Sequence, residues 1–134
     1  MSDGTILGTG IDLVENDRMQ DLLARWGAKF KDKVFLPDEQ QYCETKAFPW
    51  LHYAGRFAVK EAVSKAFGTG FGPTFGWLDI EVVRDAETGA PSAKLREKAK
   101  ELARARGVTA VLVSLAHTRN YAIAHALIVG KSLL

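Results

Sequence analysis

Arg56-Phe57-Ala58-Val59-Lys60-Glu61-Ala62-Val63-Ser64-Lys65-Ala66-Phe67-Gly68 decides how the rest of the chain is read. At about 100° per residue, Ala58, Val59, Ala62, Val63 and Ala66 fall on one stripe, with Lys60, Glu61, Ser64 and Lys65 on the opposite arc. The spacing predicts a helix that packs closely through small apolar side chains and presents two lysines beside one carboxylate. Such a group can hold a metal ion and a phosphate together. Glu61 and Lys65 also stand at i and i+4, the favourable order for a helix ion pair, so a solvated salt bridge is the competing reading. Gly68-Thr69-Gly70 follows at once and lets a ligand approach the backbone, although it lacks the spacing of either known nucleotide fingerprint.

Upstream, Thr5 to Glu15 reads as a strand, with Gly8 and Gly10 marking a bulge or a close backbone approach. Asn16 can cap a helix from Asp17 to Trp26 that stops at Gly27. One or two helical turns are expected over Ala28 to Val34. Leu36-Pro37-Asp38 opens a helix ending near Lys46 to Ala47, and Pro49 starts the long helix that carries the opening motif. Downstream, Trp77 to Val83 gives a strand, Asp85 to Gly89 a turn and Pro91 to Leu95 a short strand. Arg96 to Arg106 reads as a helix closed by Gly107. Val108 to Ala116 and Tyr121 to Val129 form a hairpin through His117-Thr118-Arg119-Asn120. A strand, then helices, then mostly strands argues an α+β fold in a single domain over residues 1–134.

The chain has 134 residues, 18 Lys and Arg against 16 Asp and Glu, and a net charge of +2. No long basic run or basic-aromatic ladder suggests nucleic acid. No secretory leader and no membrane-length apolar run is apparent, so a cytoplasmic protein without membrane spans is expected. With one cysteine, Cys43, an internal disulfide is impossible and a structural thiol is expected.

Asp12 stands in an otherwise apolar strand, where aspartate is unfavourable and costly to bury unpaired. Magnesium binds through one or two carboxylates plus substrate phosphates, so Asp12 and Glu61 are an adequate protein share. Lys60, Lys65 and Arg56 can then neutralise phosphate oxygens, an arrangement suited to phosphoryl-type transfer. His117 falls at a turn. His52 and His125 have no motif around them and are expected to be structural.

Gly-Ile-Asp-Leu-Val-Glu from Gly10, with Arg18 after it, resembles the opening motif of the holo-acyl-carrier-protein synthases. Arg56 to Gly70 resembles their second motif, Trp77 to Val83 the strand that follows, and Ser114-Leu115-Ala116-His117 the motif near the end. The resemblance implies an antiparallel sheet packed against a long helix. It also implies transfer of the 4′-phosphopantetheine arm of coenzyme A onto a serine of an acyl carrier protein, in fatty acid synthesis. Adenosine 3′,5′-bisphosphate is the other product. By the same resemblance Asp12 and Glu61 are the magnesium ligands, and Lys65 stabilises the leaving group. Glu61, directly or through a bound water, helps deprotonate the carrier serine. Arg56, Lys60, Gly68 and Gly70 lie around coenzyme A, and His117 reaches the site from a neighbouring subunit of a homotrimer. Arg18 and Arg25 face the carrier's acidic helix. Thr118 stands where some relatives carry an acidic residue after the late histidine. A coenzyme A or nucleotide-binding module without transferase activity is the alternative reading of the same residues.

Overall fold

The computed structural model of the protein describes residues 4–131. The helix expected from the opening motif, α4, runs Pro49–Phe67, with Pro49 in its first turn. Gly68 closes it in the left-handed conformation, φ 76°, which glycine adopts without a steric penalty. Against it lies an antiparallel sheet in the order β1 (Thr5–Glu15), β5 (Tyr121–Gly130), β4 (Val108–His117). A separate hairpin pairs β2 (Ile80–Arg84) with β3 (Pro91–Leu95). Three helices, α1 (Asn16–Trp26), α2 (Ala28–Val34) and α3 (Pro37–Glu44), connect β1 to α4, and α5 (Glu97–Ala105) precedes β4.

Close approach of helix to sheet sets the architecture. Ala58, Val59, Ala62 and Val63 are fully buried, opposite Ala122, Ala124, Ala126 and Ile128 of β5. On β1 the facing positions include Gly8 and Gly10. A Cβ on Gly10 would stand 2.0 Å from the Ala62 carbonyl oxygen, and one on Gly8 2.0 Å from that of Ala66. The glycines therefore weaken the strand by roughly 0.5–1 kcal/mol each relative to alanine, and in exchange admit the helix backbone. The bulge expected with them is present, as a register shift between Ile6 and Gly8.

Four local expectations are corrected. Asn16 does not cap α1; Glu15 holds the cap position without a side-chain bond. Asn16 is buried instead, its Nδ2 donating to the carbonyls of Thr118 (3.3 Å) and Arg119 (3.1 Å). Trp77–Asp79 forms a single 3-10 turn before β2, because Asp79 Oδ2 accepts the Gly76 N–H at 2.7 Å and bends the chain. α3 stops at Glu44, where the Thr45 hydroxyl donates to the Tyr42 carbonyl at 2.7 Å. β4 continues one residue further, to His117.

Candidate active site

β1 and α4 bring Asp12 and Glu61 to one pocket of about 280 Å³, walled by Leu22 and Phe57 and rimmed by Glu15 and Arg18. Strand alternation puts Asp12 on the face that carries Gly10 and Val14, and hence toward α4. Helix periodicity turns Glu61 out of the buried side of α4, leaving it half-buried. Burial, and then the neighbouring Asp12 carboxylate, raise the proton affinity of Glu61 above that of an ordinary glutamate, while Lys65 opposes the rise.

Lys65 reaches across to β1. Its Nζ donates to Asp12 Oδ1 and to the Ile11 carbonyl, each at 3.1 Å. The Lys65 side chain is half exposed, so this ion pair is worth about 0–1 kcal/mol and is easily given up to a ligand phosphate. Two hard oxygen donors in one partly desolvated pocket fit a divalent cation, which would relieve the repulsion that now raises Glu61. Among the described residues no third carboxylate or imidazole joins them.

Lys60 is not a phosphate contact. It is fully buried, and its three N–H bonds go to Glu39 Oε1 (2.7 Å), the Val34 carbonyl (2.7 Å) and the Trp77 carbonyl (3.1 Å). Ser64 is buried too, its hydroxyl donating to the Glu61 carbonyl at 2.8 Å. The charged arc of α4 therefore narrows to Glu61 and Lys65. The amides of the glycine-rich loop are also committed: Thr69 and Gly70 donate to the Ser64 carbonyl and Gly68 to that of Lys65. What the loop leaves is room: among the described residues, none beyond the adjoining two comes within 4 Å of a Cβ at Gly68 or Gly70.

Arg56 and His117 lie together in a second cavity of about 130 Å³, with His52 and Arg84, that shares no lining residue with the first. Arg56 and Glu61 are five residues apart, about 140° around the helix. Arg56 is almost wholly buried, its guanidinium 3.9 Å from the centre of the Tyr42 ring. Its buried Nε has no hydrogen-bond partner among the described residues. Burial holds His117 below the usual imidazole range, with Arg84 and Arg56 adding to the effect. Burial does the same to His52, followed by Arg56. A cavity of crowded cations with a buried N–H to spare fits an anion. The sequence singled out Arg56 and His117 but not Arg84 or His52, whose signal is tertiary.

Residues 8–126 match the sequence pattern of the 4′-phosphopantetheinyl transferase superfamily. The chain belongs to that superfamily. Within it, the chain is 46% identical over 123 residues to the holo-[acyl-carrier-protein] synthase of Syntrophus aciditrophicus, covering 92% of this chain and 95% of the relative. It is 46% identical over 120 residues to that of Ruminiclostridium cellulolyticum, covering 89% of each. Among solved structures, the Neisseria meningitidis holo-[acyl-carrier-protein] synthase superposes with a TM-score of 0.86 at 27% identity, over 92% of this chain and 98% of that one. The Helicobacter pylori enzyme in complex with coenzyme A superposes at 0.79 and 31%, over 90% and 98%. The expected α+β architecture, an antiparallel sheet packed on a long helix, is that of the superfamily members it matches.

Proposed function

We propose that Asp12, Glu61 and Lys65 perform the transfer of 4′-phosphopantetheine from coenzyme A to the serine of an apo acyl carrier protein. One observation carries these roles: β1 and α4 deliver two carboxylates to one pocket, with a lysine from the next helical turn paired to Asp12. Glu61, directly or through a bound water, takes the proton of the carrier serine hydroxyl. The serine oxygen bonds to the phosphorus that bears pantetheine, and the bond from that phosphorus to the bridging oxygen breaks. Lys65 leaves Asp12 and donates to the departing phosphate, whose charge grows as the bond breaks. Asp12 and Glu61 would hold magnesium, which supplies charge neutralisation on the pyrophosphate when bound. Adenosine 3′,5′-bisphosphate leaves.

The basic cavity at Arg56 and His117 suits the remaining phosphate of coenzyme A. Within one chain that cavity and the carboxylate pocket do not join, which favours a homotrimer in which one protomer's cavity serves its neighbour's carboxylates. The outer face of the sheet supports such an assembly: Ile11, Leu13 and Leu112 are 62%, 54% and 55% exposed on it. Arg18, on the pocket rim, is placed to meet an acidic carrier. No helix among the described residues is long and apolar enough to cross a membrane. The proposed reaction belongs to one domain over residues 1–134 and to the cytoplasm, where fatty acid synthesis would draw on it.

Incubating apo carrier with coenzyme A and magnesium, and weighing the carrier, tests the reading. The carrier gains one phosphopantetheine, and Glu61→Ala abolishes the gain with an unchanged circular dichroism spectrum. Failure to modify any acyl carrier would overturn it.

A further inference from the structure

Glu39 takes no part in the roles just described, yet it is among the most completely engaged side chains in the protein. It is 2% exposed. Its Oε1 accepts the Leu36 N–H at 2.8 Å and Lys60 Nζ at 2.7 Å, and its Oε2 accepts the Val82 N–H at 2.7 Å. Lys60 carries the network on to the carbonyls of Val34 and Trp77. Two side chains thus tie the end of α2, the start of α3, the 3-10 turn and β2 to one position on α4.

That position is next to Glu61. On its β1 side α4 rests against Gly8 and Gly10, and its side-chain bonds to that strand are those of the half-exposed Lys65 to Asp12 and the Ile11 carbonyl, which the proposed reaction gives up to the ligand phosphate. The roll of the helix about its axis, which decides where Glu61 points, needs a directional anchor elsewhere. Tyr53 to Glu44 and Arg106 to the Phe67 carbonyl hold the two ends of α4, and Lys60 is the buried anchor beside Glu61 itself. It also fixes the Trp77 backbone, and the Trp77 ring stacks on Phe57 at 4.9 Å, the aromatic wall of the carboxylate pocket. A buried ion pair adds little stability over a well-packed apolar pair of the same volume. Its contribution here is orientation.

We infer that Glu39 is a positioning residue for the transfer: acting through Lys60, it sets the roll of α4 so that Glu61 faces Asp12. The inference rests on the roles proposed for Asp12 and Glu61. Positioning errors near 1 Å cost about 100-fold in rate, so loss of the anchor lowers kcat by about 10- to 100-fold.

The test compares stability with turnover. The double variant Glu39→Met with Lys60→Met keeps volume and removes both charges but takes their partners from the Leu36 and Val82 N–H groups and the Val34 and Trp77 carbonyls, so its melting temperature falls and turnover is read at a temperature where circular dichroism shows it folded. Its kcat falls 10- to 100-fold, and its affinity for manganese alone, read by electron paramagnetic resonance, weakens about 10-fold. Wild-type kcat and manganese affinity in a folded double variant would overturn the inference. Should that variant not fold, Glu39→Gln and Glu39→Asp are measured at a temperature where circular dichroism shows them folded. Gln cannot accept both the Lys60 and Val82 N–H groups at separate oxygens, so kcat falls, while Asp recovers part of it. Equal, undiminished kcat in both would overturn the inference equally. Wild-type enzyme is run alongside: an inactive wild type refutes the proposed transfer, whereas an active wild type with undiminished Glu39 variants refutes only the positioning role.

Discussion

Gly10→Ala is a one-carbon perturbation two residues from Asp12. The added Cβ would meet the Ala62 carbonyl oxygen at 2.0 Å and the Ala66 nitrogen at 2.6 Å, and both are helix backbone that no rotamer change can clear. Ordinary contact begins near 3.4 Å, so strand and helix must separate by about 1.4 Å (3.4 − 2.0). Ala62 directly follows Glu61, so that carboxylate moves with it, away from Asp12. A displacement of this size costs about 100-fold in rate. Overpacking costs roughly 1–3 kcal/mol, which for a domain of this size lowers the melting temperature by about 3–12 °C. The assay is carrier modification at saturating coenzyme A, followed by intact mass, with a thermal melt on the same sample. Gly76→Ala serves as control, since the nearest atom to its Cβ, Asp79 Oδ2, is 3.7 Å away. A Gly10→Ala protein with wild-type kcat and melting temperature would refute the view that helix-to-strand spacing sets the carboxylate geometry.

Lys65→Ala lowers kcat by about 100- to 1000-fold, as for other groups that stabilise developing charge, with the melt unchanged within about 1 °C; a wild-type rate would remove its role. Arg56→Ala raises KM for coenzyme A about 10- to 100-fold, the loss of one charged contact of roughly 1.5–3 kcal/mol. Coenzyme A lacking its 3′-phosphate suffers the same loss with wild type and no further loss with the variant; additive losses would separate the two. Because His52 and His117 are held below their ordinary value near 6.5, the unfolded chain takes up protons that the folded one refuses once the pH falls below that value. Stability is therefore full above about pH 6.5 and declines as the pH drops toward the folded values. Melts from pH 8 to 5 check this, and His52→Asn with His117→Asn flattens the acid side; an equally steep decline would place its origin elsewhere.

Periodicity and punctuation made most of the fold legible. Pro49 and Gly68 bound α4, and the turn residues around Asp85 to Gly89 and at Thr118 to Asn120 separate the late strands. Asp12 stood out because an aspartate in an apolar strand asks for a partner, and its partner is Lys65 on α4, with Glu61 beside it in the same pocket. Lys60 was misread for a physical reason. Its place on the charged arc holds only if that arc faces water, and α2, α3 and β2 cover one edge of it. Sequence periodicity describes one helix and cannot say what packs on its far side. Glu39 was missed for the same reason. Its one local signal was its place three residues after Leu36, where it accepts the Leu36 N–H at the start of α3. The bond to Lys60 spans 21 residues and the bond to Val82 spans 43, beyond any local pattern.

The order of strands in the sheet has a consequence for how the protein is made. β5, the last strand in the chain, occupies the middle of the sheet, with β1 on one side and β4 on the other. Until β5 has been made, β1 has no strand neighbour among the described residues, and its apolar residues and backbone edge stay open for on the order of ten seconds at ordinary elongation rates. The sheet that carries Asp12 is thus completed at one late event, the insertion of β5. That interval is when a nascent chain of this topology is most open to chaperone capture and to pairing with another copy of itself.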